Sequence, residues 1–214
     1  EVIDLLFRIF CNPGVDHALT FSPTYGMYDV SAAINDVELI KVELDSNFDL
    51  NFKKLAPFLE DKSLKLILLC TPNNPTGNVA TVEEIDALIK IANEWPQCTI
   101  IADEIYDGLD FSGNMVSVAS RSNKTPIIVL NGVSKVYFAP GWRVGYLAIH
   151  DPKNILSLVR DGIERLLRSR LCASTPAQYG FLAGLNGDKS WLTNHRLTIK
   201  NRLDYCIGRI SQID

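Results

Sequence analysis

The sequence predicts an α/β fold in which a mostly parallel central sheet is flanked by helices. Short apolar runs alternate along the chain with segments of helical periodicity, a pattern typical of parallel strands joined by helical crossovers. The run Leu64–Cys70 has the length of a strand and an apolar character that indicates burial on both faces of a sheet. The segment Thr81–Ala92 instead places its apolar residues on one face of a helix.

The remaining elements follow from the same patterns and from the turn residues between them. Helices are predicted over Val2–Phe10, Tyr25–Ala33, Thr81–Ala92, from after Pro152 to about Leu167, Pro176–Leu185 and Trp191–Ile210. Strands are predicted over His17–Phe21, Glu38–Leu44, Leu64–Cys70, Cys98–Ala102, Pro126–Leu130 and Val144–Ile149. The turn signal Asn12-Pro13-Gly14 ends the first helix, and Thr81-x-x-Glu84 is a capping box that begins the third.

The composition is that of an ordinary globular protein. Its 214 residues are enough for one large domain with a real core, or for one domain and part of another. The net charge is −4 and no basic run or membrane-spanning apolar stretch occurs, which argues against nucleic acid and membranes as partners. The five cysteines include no CxxC pair and the three histidines are scattered, so neither a disulfide framework nor a metal site is expected. Scattered thiols fit a reducing cytoplasm.

Four groups of polar residues border predicted strands. They are Asn74 within Thr71–Gly77, the run Asp103-Glu104-Ile105-Tyr106, the pair Ser134-Lys135, and Arg143 within Gly141–Tyr146. Each has an ordinary explanation when it is taken singly: a turn, a helix cap, a solvated lysine or a surface ion pair. Ligands of parallel sheets bind where strands end, however, so the four groups together indicate a functional site.

This set of motifs resembles the class I and II aminotransferases of pyridoxal 5'-phosphate (PLP) fold type I. Asn-Asn-Pro-Thr-Gly, Asp-Glu-x-Tyr and Ser-Lys-x-x-x-x-x-Gly-x-Arg-x-Gly-Tyr are signature segments of that family, and the match covers nearly the whole chain. The resemblance implies a large PLP-binding domain over residues 1–187. It implies that residues 188–214 form a helix leading toward a C-terminal small domain, and that the N- and C-terminal small-domain parts are missing.

The resemblance assigns the reacting end of the cofactor to four residues. Lys135 would form the Schiff base with PLP, and its freed amine would then remove the Cα proton of the substrate. Asp103 would pair with the pyridine nitrogen and favour the protonated ring. Asn74 and Tyr106 would donate hydrogen bonds to the ring oxygen. Glu104 is expected to point elsewhere and to be structural.

The resemblance assigns the phosphate and the ring face to three further residues. Arg143 would bind the phosphate, because the forked donors of a guanidinium suit two phosphate oxygens, and Ser134 is a second phosphate contact. The chain departs from many relatives at Gly132, where they carry Ser or Thr. Tyr25, within the signature segment Pro23-Thr24-Tyr25-Gly26-Met27-Tyr28, is expected to stack on the pyridine ring, and the alternative is a core tyrosine at a strand-to-helix turn.

The implied reaction is transfer of an amino group to a 2-oxo acid such as 2-oxoglutarate. Residues up to about Asn78 resemble histidinol-phosphate aminotransferases, whereas residues from about Asp103 onward resemble alanine or aspartate aminotransferases. The amino donor therefore stays open between histidinol phosphate and alanine or aspartate, and natural divergence and recombination would both produce such a mixture. Alternatives are another PLP reaction on this fold, of the C–S lyase or aminocyclopropane-carboxylate synthase type, and a non-catalytic or inactive domain.

The chain opens without Met on a helical segment, so we expect it to begin inside a longer protein. The family's glycine-containing phosphate loop, its arginine for the substrate α-carboxylate and a tyrosine from the partner subunit are expected to lie outside it. The 214 residues alone should therefore be a poor transaminase. The resemblance also implies a homodimer for the full-length protein.

Overall fold

The computed structural model describes residues 1–213, over which seven α-helices and six strands form. The helices are α1 (Val2–Phe10), α2 (Met27–Ile34), α3 (Phe52–Leu55), α4 (Val82–Glu94), α5 (Ser157–Arg170), α6 (Thr175–Asn186) and α7 (Ser190–Ile210). The strands are β1 (His17–Ser22), β2 (Glu38–Glu43), β3 (Leu64–Cys70), β4 (Thr99–Asp103), β5 (Ile127–Gly132) and β6 (Gly145–His150). Short 3₁₀ turns occupy Ala56–Phe58, Asp107–Leu109, Val118–Arg121 and Pro140–Trp142.

The strands form one sheet in the order β2-β1-β3-β4-β5-β6. The first five strands run parallel, and β6 alone pairs antiparallel with β5. The predicted α/β class with a mostly parallel sheet is therefore confirmed. The six strands predicted from the sequence all form, whereas the short helix α3 and the 3₁₀ turns were not predicted, because segments of three or four residues carry too little periodicity.

The sheet is covered by apolar residues on both faces. Alternate residues of β3, β4 and β5 enter one cluster with α4 and a second cluster with α1 and α2. In β3, for example, Ile67 and Leu69 belong to the first cluster, and Leu66 and Leu68 belong to the second. This alternation explains the apolar character of Leu64–Cys70, because each side of a central strand meets a helical layer.

Helix α4 begins at the predicted capping box. Thr81 Oγ1 accepts a hydrogen bond from Glu84 N at 3.2 Å, and Thr81 N donates to Glu84 Oε2 at 2.8 Å. The second oxygen of Glu84 accepts from Leu50 N at 2.6 Å, so the cap also holds the loop before α3. The cap thereby fixes the start of the helix whose apolar face closes one side of the sheet.

Helix α7 has a different environment from the other long helices. None of its residues is buried, and Leu197, Ile207 and Ile210 are each more than half exposed. The boundary between residues 1–187 and 188–214 stays a prediction, and Asp214 lies outside the described residues. Within residues 1–213, no helix combines the length and apolar character needed to cross a membrane.

We expect Thr81→Ala to lower the free energy of unfolding by about 1 kcal/mol, because Glu84 N loses its capping partner. Urea denaturation measures the change. Thr198→Ala, which removes a hydroxyl from the middle of exposed α7, is the matched control and should leave the stability nearly unchanged. Equal losses in both variants would contradict a specific role of the cap.

Candidate active site

The candidate site lies at the edge of the sheet where β3, β4 and β5 end. Because these strands are parallel, Cys70 pairs with Asp103, and Asp103 pairs with Leu130. Strand β6 runs in the opposite direction, so its first residue, Gly145, lies beside Gly132 at the end of β5. The reversal brings Arg143, which precedes β6, to the edge that carries the ends of the parallel strands.

A cavity of about 300 Å³ opens at this edge. The seven residues predicted as cofactor ligands all line it: Tyr25, Asn74, Asp103, Tyr106, Ser134, Lys135 and Arg143. A larger cleft of about 1200 Å³ shares Asn74 and Tyr106, but its lining within residues 1–213 contains no lysine or arginine. The smaller cavity therefore holds the residues suited to chemistry.

Lys135, Tyr106 and Asn74 occupy neighbouring positions in the cavity. Lys135 Nζ lies 5.5 Å from the centre of the Tyr106 ring. Asn74 Nδ2 lies 3.5 Å from Tyr106 Oη, which is a long hydrogen bond. Lys135 is exposed, so its amine is accessible to a ligand that enters the cavity.

Asp103 is buried at the end of β4 and has two hydrogen-bond donors. Its Oδ2 accepts from Tyr28 Oη at 2.9 Å, and its Oδ1 accepts from Ile105 N at 3.4 Å. Burial raises the pKa of the Asp103 carboxyl above its usual range, and the two hydrogen bonds oppose that rise. Among residues 1–213, no cationic side chain forms an ion pair with Asp103, so a cationic N–H group in the cavity would stabilise its charge.

Tyr28 was missed by the sequence reasoning, which considered Tyr25 as either a stacking residue or a core residue. The structure divides these two environments between the two tyrosines. Tyr25 is 38% exposed and lines the cavity, whereas Tyr28 is completely buried. Their rings meet edge to face, with centroids 5.7 Å apart. Tyr25 precedes α2 and Tyr28 lies in its first turn, three residues later. Residues three apart lie on the same side of a helix, so this spacing could have indicated the contact.

Other lining residues were also missed. Cys70 and Asn131 lie at or next to the last residues of β3 and β5, and Tyr146 lies near the beginning of antiparallel β6. Glu1 and Val2 place the start of α1 beside the same cavity. The amino end of a helix favours a negatively charged ligand. Arg143, the second group suited to an anion, has a left-handed backbone with φ of 53° and donates to Pro140 O at 3.0 Å.

The comparisons with known proteins show the family of the chain. The profile of the family described as aminotransferase class I and II matches residues 1–214. The chain belongs to the class I and II aminotransferases.

Three relatives show how much of the family's length is present. The histidinol-phosphate aminotransferase of Parabacteroides distasonis is 36% identical over 206 residues, which cover 95% of this chain and 56% of the relative. A probable aspartate aminotransferase of Methanocaldococcus jannaschii is 32% identical, covering 92% of this chain and 52% of the relative. The solved structure of an alanine aminotransferase from Pyrococcus furiosus has a TM-score of 0.94 at 34% identity, covering 99% of this chain and 54% of its own. The aminotransferase chain thus spans about half the length of these relatives.

Gly132, at the end of β5, lies too close to β6 to carry a side chain without a shift of the backbone. A Cβ atom at this position would lie 2.9 Å from both Gly145 Cα and Val144 O. These are backbone atoms of the antiparallel partner strand and cannot rotate away. The close pairing of β5 and β6 therefore leaves no room for a side-chain hydroxyl at Gly132.

Glu104 points away from the cavity, as expected. Its carboxylate accepts hydrogen bonds from Val118 N at 2.8 Å and from Ser117 Oγ at 3.1 Å. Burial is the main cause that raises the pKa of Glu104 to about 7, while these two bonds act in the opposite direction. Glu104 therefore fastens the segment around Ser117 to the end of β4.

We expect Gly132→Ser to destabilise this aminotransferase chain by about 1–3 kcal/mol, because the two strands must separate to admit Cβ. Thermal and urea unfolding measure the loss. Gly208→Ser is the control, since a Cβ at Gly208 meets nothing within 4 Å. A Gly132→Ser variant as stable as the wild type would contradict the steric argument.

Glu104 predicts a pH dependence of stability. The pKa is about 7 in the folded chain against an ordinary 4.5, so between these values the folded state holds a proton that the unfolded state has released. The associated stability is present at low pH and is lost as the pH rises through 7. Between about pH 5 and about pH 8, the wild type should lose roughly 2 kcal/mol relative to Glu104→Gln.

Denaturation curves at the two pH values test this expectation. Exposed Glu94→Gln is the control and should follow the wild-type profile. Parallel pH profiles for the wild type and Glu104→Gln would show that the carboxyl group does not titrate in this window.

Proposed function

We propose that this chain forms the PLP-binding part of an aminotransferase. The transferred amino group would pass between an L-amino acid, or a similar amine, and a 2-oxo acid such as 2-oxoglutarate. The observation that carries the proposal is the meeting of Lys135, Asp103 and Arg143 in one cavity. These residues supply an amine, a carboxylate and a guanidinium, which match the aldehyde, the ring nitrogen and the phosphate of PLP.

When bound, PLP supplies an aldehyde for covalent attachment and a ring that withdraws electrons from the substrate Cα. Lys135 Nζ would make the covalent attachment and, once released, would carry the proton that leaves Cα. Asp103 would hold the proton on the ring nitrogen. Asn74 and Tyr106 would donate to the ring oxygen, next to Lys135.

Three residues would hold the rest of the cofactor. Arg143 and Ser134 would bind the phosphate, and the amino end of α1 lines the same cavity. Tyr25 would cover one face of the ring, because its side chain is partly exposed in the cavity. Together these contacts would orient the cofactor so that its reactive carbon faces Lys135.

The substrate and the assembly are also proposals. The relatives named above are all aminotransferases, which favours transamination over the lyase and aminocyclopropane-carboxylate synthase alternatives. Their names support histidinol phosphate, aspartate or alanine as the amino donor, and 2-oxo-acid formation from each donor in the complete protein would decide between them. We further propose a cytoplasmic homodimer in which residues 1–187 form the cofactor domain and residues 188–214 lead toward a second domain.

We expect the complete protein to show the absorption band of lysine-bound PLP, and Lys135→Ala to abolish that band. The covalent bond requires an amine at this position, so loss of the band should be complete even where PLP still binds noncovalently. Lys153→Ala, which removes an exposed lysine outside the cavity, is the control and should retain the band. An unchanged band in Lys135→Ala would refute the assignment.

A further inference from the structure

We propose that Tyr28 is a positioning residue that holds the Asp103 carboxylate for the ring nitrogen of the cofactor. The inference rests on the proposed function and extends it to a residue that does not line the cavity. The proposal is based on the hydrogen bond from Tyr28 Oη to Asp103 Oδ2, at 2.9 Å, in the apolar core under the site.

The surroundings of Tyr28 make it a rigid donor. The side chain is completely buried among apolar residues of α1, α2 and the sheet, including Phe7 and Ala32. Burial and the nearby Asp103 raise the pKa of the Tyr28 hydroxyl well above its usual value, so it remains a neutral O–H group. A hydroxyl buried in this way needs an acceptor, and Asp103 is the acceptor that the structure provides.

The hydrogen bond fixes the orientation of the Asp103 carboxylate. An aspartate side chain rotates easily about its last torsion angle, so an unanchored carboxylate would have no set direction. Tyr28 occupies Oδ2, while Oδ1 has only the long bond from Ile105 N at 3.4 Å. Oδ1 therefore keeps acceptor capacity for an N–H group in the cavity.

The same hydrogen bond favours the charged form of Asp103. A donor to one oxygen stabilises the carboxylate relative to the neutral carboxyl. When Asp103 shares a proton with a ring nitrogen, this preference places the proton on the nitrogen. Cys70 also lies beside Tyr28 and Asp103, and burial raises the pKa of its thiol to about 12, so the thiol remains neutral. Tyr28 is thus the side-chain donor that offsets the burial of Asp103.

Tyr28 also connects two walls of the cavity. Its ring packs edge to face with that of Tyr25, three residues earlier, with centroids 5.7 Å apart. Tyr25 would cover the ring face, and Asp103 would meet the ring nitrogen at its edge. The segment Tyr25–Tyr28 would therefore position Tyr25 against the ring face and Asp103 against the ring nitrogen at the same time.

The test uses Tyr28→Phe in the complete protein, because this change removes the hydroxyl and keeps the ring. We expect the dissociation constant for PLP to rise about tenfold. With PLP labelled with ¹⁵N at the ring, the nitrogen resonance should move toward the unprotonated position. Tyr137→Phe removes a hydroxyl that bonds Gly184 O at 3.4 Å, away from Asp103, and is the matched control. A purely structural hydroxyl would change stability in both variants and would leave the resonance unchanged.

A second comparison separates Tyr28 from Asp103 and does not require Tyr28→Phe alone to fold. Asp103→Ala removes the buried carboxylate, so adding Tyr28→Phe should leave the PLP dissociation constant of that variant unchanged. A further tenfold loss in the double variant would overturn the inference, as would a Tyr28→Phe variant with wild-type affinity and resonance. If the wild-type protein lacked the band of lysine-bound PLP, the proposed function itself would fail, which is a separate result.

Discussion

Burial of the parallel strands on both faces is the constraint on which the rest of the structure depends. Side chains of β3, β4 and β5 alternate between two apolar clusters, and a charged group within either cluster would be costly. Functional side chains are therefore confined to the points where the strands end, and parallel alignment puts those points at one edge. Asp103 marks the boundary, since it is the last residue of β4 and is buried but open to the cavity.

The reversal of β6 adds the cationic group to that edge. Arg143 precedes β6, and a sixth parallel strand would have placed it at the opposite end of the sheet. At this pairing the two backbones come close together, so that a Cβ atom on Gly132 would lie 2.9 Å from Gly145 Cα. A phosphate bound in the cavity would have to be held without a hydroxyl from residue 132.

The extent to which the site could be predicted differs between residues. Asn74, Asp103, Tyr106, Lys135 and Arg143 stand in motifs whose residue types and order are visible in the chain, and the cavity contains all of them. Tyr28 stands in the signature segment Pro23–Tyr28, but its hydrogen bond to Asp103 was not predicted. That bond, like the place of Cys70 beside Asp103, arises from packing between α2, β3 and β4. Glu104 was expected to be structural, and the donors that hold it, Ser117 and Val118, are set by a loop that carries no periodic pattern.

The sequence by itself determined the fold class, the strands and the long helices, because periodicity is a local property. Its motifs carried the family resemblance, which proposes the residues for PLP. Only the tertiary structure decided which tyrosine faces the cavity and which supports Asp103. It also decided that β6 runs antiparallel and that Gly132 cannot carry a side chain. The hydrogen bond from Tyr28 to Asp103 and the pairing of β5 with β6 join separate elements of the fold, and no local pattern records such contacts.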